Sequence, residues 1–293
     1  MASLKEIKGR IGSVQSTLKI TSAMKLVAST KLRHAQNAIE SMLPYDKQLT
    51  TILHNFLASG VSVESPLVEV RPVERVAVVV VASNSSLCGG FNANVLKKAN
   101  TVLEEYSKLE KGHLLIYPIG RKVAQSLGKR YQLSEEYKMI GDKPAYKEAS
   151  QLAQHLIDLF ISKEIDKVEL VYTHYKSTAS QVVRRETFLP LALQTEEAAH
   201  EKQDMTDGFL PDYIVEPSPE ELVARLLPKA LRMKIYTILL DSNASEHAAR
   251  TVAMQQATDN ANDLLQDLNL MYNKGRQQAI TNELLDIIGG SMK

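Results

Sequence analysis

The 293 residues carry a formal net charge of +1, an apolar content of 44% and one cysteine. A single cysteine excludes an internal disulfide and fits a reducing compartment, and the near-neutral balance excludes an overall basic nucleic-acid binder. The apolar content suffices for one large domain or two smaller ones. No apolar run approaches the roughly eighteen residues of a membrane span, and the N-terminus lacks the apolar core of a signal peptide.

The first element is the longest uninterrupted pattern. Ile7, Ile11, Val14, Leu18, Thr21, Lys25, Ala28, Leu32, Ala35, Ile39 and Met42 step alternately by four and three, the seam of a coiled coil. Only Gly9 and Gly12 interrupt, and no proline precedes Pro44. At about 1.5 Å per residue such a helix is roughly 60 Å long, so it needs a long partner. It ends near Pro44 or frays through Leu57, with the break at Ala58–Gly60. Residues 1–40 hold seven Lys/Arg against Glu6 and Glu40, a net +5. The basic residues surround the helix, which suits a solvated face or a fitted partner and argues against DNA. The polar Thr21 and Lys25 at the seam read as residues that set the register of the coil.

Residues 61–72, with Pro66 and Pro72, read as a linker. Val76–Val81 is a β-branched run, a strand buried on both faces. SNSSLCGG reads as a turn and Phe91–Leu109 as a helix. Leu114–Ile119 is a second strand, Gly120 a turn, Lys122–Tyr131 a helix, and Tyr146–Lys163 an amphipathic helix. Val168–Tyr175 and Gln181–Leu191 are strands joined by KSTAS. Alternation ending in a hairpin predicts a Rossmann-like α/β domain whose sheet has an antiparallel edge. The polar stretch 195–217 reads as a loop with one strand at Tyr213–Val215. Residues 195–221 hold nine Asp/Glu against Lys202, a net −8.

At Ser218-Pro219-Glu220-Glu221 a cap serine, a proline at the first helical position and a glutamate three after the cap announce a helix. Pro228 is a candidate kink, and Gly275 is the isolated glycine before Gly289-Gly290. Ala253, Ala257, Ala261, Leu264, Leu268, Met271 and Gly275 repeat the four–three spacing. This is the partner of the first helix. The fold class is therefore α/β: a long antiparallel coiled coil of the terminal helices, residues 1–60 and 218–293, with an α/β domain inserted at residues 73–217. The second helix outruns the first, and its overhang needs something to enclose it.

The search for chemistry finds little. VVVVASNSSLCGGFN has the strand–turn–helix form of a nucleotide site, yet neither G-x-G-x-x-G nor G-x-x-x-x-G-K-[ST] occurs. Cys88 has no base beside it in sequence and reads as a small buried residue. Glu196, Glu197, His200 and Glu201 have metal-compatible spacing but also suit a solvated acidic loop. No catalytic residue, cofactor site or metal site is expected.

KEIKGRIGSVQSTLKITSAMKLVASTKLRHAQ and SEHAARTVAMQQATDNANDLLQDLNLMYNKGRQQAITNELLDIIGG resemble the opening and closing helices of the γ subunits of F-type ATP synthases. The I-T-x-E-L-x-[DE]-I-x-x-G pattern from Ile280 to Gly290 is the most specific stretch. LCGGFN at 87–92, GRK at 120–122 and YIVEP at 213–217 fit the family's middle domain. The resemblance implies a non-catalytic rotor stalk with no cofactor. Its partners would be α and β subunits in an α3β3 ring, an ε subunit and a ring of membrane c subunits. Nucleic acid is not among them, and the membrane is reached only through the c ring, at the cytoplasmic side of a bacterial inner membrane. The resemblance places Met24, Lys25 and Arg250 at the moving region of β. It places Gln277, Thr281 and Glu283 at a β loop, and Glu216 at the foot near the c ring or ε. Val215 departs from the aromatic common before that glutamate, and Asn84-Ser85-Ser86 from a basic residue followed by glycine. With Cys88 alone, the chloroplast type's cysteine switch is absent, and no transit peptide is evident. Two other readings are an α/β nucleotide-binding enzyme with coiled-coil oligomerisation arms, and a homodimeric coiled-coil scaffold.

Overall fold

A computed structural model describes residues 3–58, 65–107, 109, 112–134, 137, 140–191, 216 and 218–291. The elements are α1 (Leu4–Ala58), a 3-10 turn (Pro66–Val68), β1 (Val76–Val81), α2 (Phe91–Glu105), β2 (Leu114–Ile119), α3 (Arg121–Leu127), α4 (Tyr146–Ile161), β3 (Lys167–Ser177), β4 (Ser180–Leu189) and α5 (Pro219–Ser291). The chain divides into two compact units: Met1–Thr30 with Arg250–Lys293, and Lys31–Ala249.

The larger unit is built on a sheet in the order β2-β1-β3-β4. β1 pairs in parallel with β2 and β3, and β4 closes one side antiparallel to β3. All six residues of β1 are buried, as its wholly apolar, valine-rich run requires of a central strand covered on both faces. Val76, Val78 and Val80 meet Val95, Ala99 and Val102 of α2 and Val123 and Leu127 of α3. Ala77, Val79 and Val81 face the other layer, where Leu152, Leu156 and Phe160 of α4 lie with Val223, Leu227, Leu231 and Ile235 of α5. Between Ser242 and Ala248 every residue of α5 is buried, so the helix is enclosed on all sides there.

The predicted cap of α5 is present: the Glu221 N–H donates to Ser218 Oγ at 3.2 Å. Neither Pro44 nor Pro228 ends its helix. Each frees the carbonyl four residues back, and those residues, Glu40 and Ala224, are exposed, so water can satisfy the lost bond. Part of the expected linker is folded, since Leu67 is buried and its carbonyl accepts from the Leu191 N–H at 2.8 Å. The strand expected at Tyr213–Val215 and the Glu196, Glu197, His200 and Glu201 group lie outside the described residues.

In the smaller unit, α1 and α5 run antiparallel. Thr21 meets Thr258, and a Cβ on Gly275 would come within 3.1 Å of Leu4 Cδ2. The α1 seam is as expected, with Ile7, Thr21 and Ala28 buried and Ile11, Val14, Leu18 and Lys25 partly so. The α5 seam is as expected at Ala253, Ala257, Ala261, Leu268 and Gly275, which are buried or partly so. It is not so at Leu264 and Met271, which are exposed while their neighbours Leu265 and Tyr272 turn inward. Leu264-Leu265 and Met271-Tyr272 are pairs of adjacent large apolar residues. The four–three count accepts either member, and the position of the partner helix selects one.

Candidate functional site

The residues expected to meet partners fall mainly on the smaller unit. Met24 and Lys25 are half-buried on α1, beside a face where Ile20, Leu26 and Val27 are 60%, 70% and 56% exposed. This outward apolar patch is the part that the seam count overlooked, because the count follows only residues facing the partner helix. Ile20 and Val27, two turns apart, share one solvent-facing side of the helix, with Leu26 about 100° round from Val27. Thr21 faces inward. The Thr258 hydroxyl donates to Thr21 Oγ1 at 3.0 Å, and Thr21 donates to the Leu18 carbonyl at 3.1 Å. Register setting is the role that the geometry of Thr21 serves, and it is not part of an outward bearing.

Arg250 is buried, 9% exposed, at the end of the smaller unit's α5 segment. Gln277, Thr281 and Glu283 are exposed towards the far end. Gln277 and Thr281 stand one turn apart, and Thr281 Oγ1 donates to the Gln277 carbonyl at 3.0 Å. That bond uses the hydroxyl proton and leaves the Thr281 oxygen as an acceptor beside the Gln277 amide. Beyond Gly275, which lies against Leu4, α5 continues to Ser291 with Ile280, Leu284, Leu285, Ile287 and Ile288 exposed. Glu216 is an exposed bend residue of the larger unit, and its neighbour Val215 lies outside the described residues.

In the larger unit the turn that resembles a nucleotide site is closed on itself. Asn92 Oδ1 accepts from the Ser83 N–H at 3.1 Å, Ser83 Oγ donates to the Ser85 carbonyl at 2.6 Å, and Asn92 Nδ2 donates to the same carbonyl at 3.2 Å. Cys88 is buried there and accepts from Asn92 Nδ2 at 3.2 Å, the small buried residue expected. At the departure Asn84-Ser85-Ser86, Asn84 Oδ1 accepts from the Arg121 N–H at 2.7 Å and so caps α3. Gly120, at φ 103°, passes so close to Ala82 that a Cβ would sit 2.1 Å from its carbonyl oxygen.

One charged cluster is buried in this unit. Glu169 accepts from Arg185 Nε at 2.7 Å and Nη2 at 3.0 Å, from the Tyr106 hydroxyl at 2.6 Å, and pairs with Lys167 at 2.7 Å. Burial pushes the Glu169 carboxyl up, but the bonds from Arg185, Lys167 and Tyr106 outweigh it and hold it below its ordinary value. The cluster ties β3 and β4 to α2, with both carboxylate oxygens engaged, so it serves the fold. Asp241 behaves oppositely: burial raises its pKa despite bonds from His174 and the Tyr175 N–H. Among the described residues no group of three His, Cys, Asp or Glu could hold a metal, and no helix is long and apolar enough to cross a membrane.

Comparison with known proteins bears on these surfaces. The sequence family described as ATP synthase matches residues 3–292. The ATP synthase gamma chain of Phocaeicola vulgatus is 59% identical over 293 residues, all of both chains. The chain belongs to the ATP synthase gamma-chain family. A more distant member, from Flavobacterium johnsoniae, is 43% identical over 99% of this chain and 98% of its own. Among solved structures, a chain in the Euglena gracilis mitochondrial ATP synthase, described as OSCP/F1/c-ring in rotational state 3, is 20% identical with a TM-score of 0.66. That match covers 99% of this chain and 93% of that one. A Tetrahymena thermophila mitochondrial ATP synthase chain, described as central stalk/cring, gives 0.60 at 21% identity, over 81% and 99%. At such identities the likeness is one of fold.

Proposed function

We propose that this chain is the central rotor stalk of an F-type ATP synthase. It couples proton-driven rotation of a membrane c ring to ATP synthesis and hydrolysis at the sites of an α3β3 ring, and is itself non-catalytic. The observation that carries the reading is the helix end beyond Gly275. A helical segment with Ile280, Leu284, Leu285 and Ile287 exposed is not held by propensity in water, and a surrounding protein ring supplies the enclosure.

Residues 1–60 and 218–293 act as the shaft and residues 73–217 as the globular foot. The apolar patch of Ile20, Leu26 and Val27, flanked by Met24 and Lys25, bears on the moving region of β, with Arg250 supporting it. Gln277, Thr281 and Glu283 hydrogen-bond a β loop. Glu216 contacts the c ring or ε. The chain needs no cofactor, and it sits at the cytoplasmic side of a bacterial inner membrane as a peripheral component held through the c ring. Only differential contact with the three β conformations shifts their populations, so an asymmetric shaft surface is the working part.

Gel filtration of the purified chain with α, β and ε is the test. A co-eluting complex that hydrolyses ATP and rotates, from a chain that alone hydrolyses none, is the expected result. A chain that elutes apart from α3β3 refutes the reading. The enzyme alternative predicts saturable nucleotide binding near Ser83–Phe91, which equilibrium dialysis measures.

A further inference from the structure

β3 outruns the sheet. Its pairing with β1 stops at Val171, and from Tyr172 to Ser177 it is paired only with β4. The strand would be a free ribbon there, yet three consecutive residues bind the long helices. The Thr173 carbonyl accepts from Ser245 Oγ at 3.1 Å. His174 Nδ1 lies 2.6 Å from Asp241 Oδ2. The Tyr175 N–H donates to Asp241 Oδ1 at 2.7 Å, so one carboxylate holds two successive residues. The Tyr175 hydroxyl accepts from Gln36 Nε2 of α1 at 2.8 Å, and its ring packs on Leu32, Ala35, Ala244 and Ala248. Tyr175 therefore touches both helices, at a level where alanines let them approach closely.

We infer that Tyr175 and Asp241 form a clip that fixes α1 against α5 and locks both to the sheet, so that torque passes between the sheet and the helix pair without angular slack. Tyr175 and Asp241 are positioning residues; neither needs to touch a partner subunit. A turn of α5 relative to the sheet stretches the two bonds at Asp241. A turn of α1 relative to α5 strips Gln36 and the alanine faces from the tyrosine. Alanine faces interlock less than larger side chains do, so at that level the polar bonds of Tyr175 and Asp241 add directional resistance to the packing that encloses α5.

The inference rests on the rotor reading, and the test separates the two. The parent and the Tyr175→Ala/Asp241→Ala chain, each carrying Lys97→Cys on the exposed face of α2 for a bead, are assembled with α3β3. Angular fluctuation is recorded during catalytic pauses. The expected result is at least a twofold wider angular variance in the double variant at parental ATP hydrolysis, with Tyr175→Phe, which keeps the ring, in between. Parental variance in a rotating double variant overturns the clip. A parent that neither assembles nor rotates overturns the rotor reading instead, and hydrogen exchange on the free full-length chain then decides the clip. There Asp241→Ala should speed exchange of the Tyr175 amide at least tenfold while β1 amides keep parental rates. An unchanged Tyr175 rate, or equal acceleration in β1, overturns it. The same exchange measurement on Asp241→Leu, which keeps the bulk and loses both acceptor oxygens, decides the matter if the double variant fails to fold.

Discussion

Arg185→Met tests the charged cluster on which the β3–β4 hairpin depends. In the parent, Arg185 gives Glu169 two bonds, at 2.7 and 3.0 Å, and reaches Glu105 at 2.6 Å. Glu169 is only 1% exposed, so after the substitution a carboxylate remains out of water with half its partners. Removing one member of a buried ion pair costs about 3–5 kcal/mol. Lys167 and Tyr106 still bind Glu169, so the lower end, about 3 kcal/mol, is expected here. For a folded unit of this size that corresponds to a fall in Tm of roughly 5–10 °C. The acid limb gives a second readout. Because Glu169 has a depressed folded pKa, its stabilisation is complete above its unfolded value and is lost as pH falls through the folded one. Arg185→Met should therefore flatten the loss of stability below about pH 5. Replacing both partners, as Glu169→Leu/Arg185→Met, removes the stranded charge and should recover at least half of the loss. Urea unfolding at several pH values measures all three. A single-variant cost under about 0.5 kcal/mol, or a double variant less stable than Arg185→Met, refutes the reasoning.

Gly120→Ala should be severely destabilising, by more than about 3 kcal/mol, because it combines a strained φ with a 2.1 Å clash against the Ala82 carbonyl; loss of soluble folded chain or a large drop in urea midpoint is the check. Gly275→Ala should be neutral or stabilising by up to about 1 kcal/mol, since helix propensity favours alanine and only the end of the half-buried Leu4 side chain must move; a measurable loss in urea unfolding contradicts this. Gln277→Leu/Thr281→Val should leave the far-ultraviolet circular dichroism and thermal midpoint unchanged while lowering ATP synthesis in the assembled enzyme. Unchanged synthesis counts against the role of these two residues.

The period of the apolar residues was enough to determine the architecture: two long helices of matching seam, a valine-rich central strand and an antiparallel edge. Those features are local. β-branched runs and four–three spacing constrain the backbone wherever the chain goes, and the cap at Ser218 works within one turn. The candidate surface was legible where it coincides with family motifs, as at Gln277 and Thr281, and illegible where it depends on which way a side chain faces. Leu264 and Leu265 are the same residue in adjacent places, and only the position of α1 decides that Leu265 turns inward. Thr21 is a seam residue by count, but the proton it shares with Thr258 comes from a residue 237 positions away. The grip of Tyr175 and Asp241 joins three elements distant in sequence, and no periodicity encodes it. Pattern along the chain settles which faces are apolar; contact across the chain settles which of them are spent on the fold and which are left for a partner.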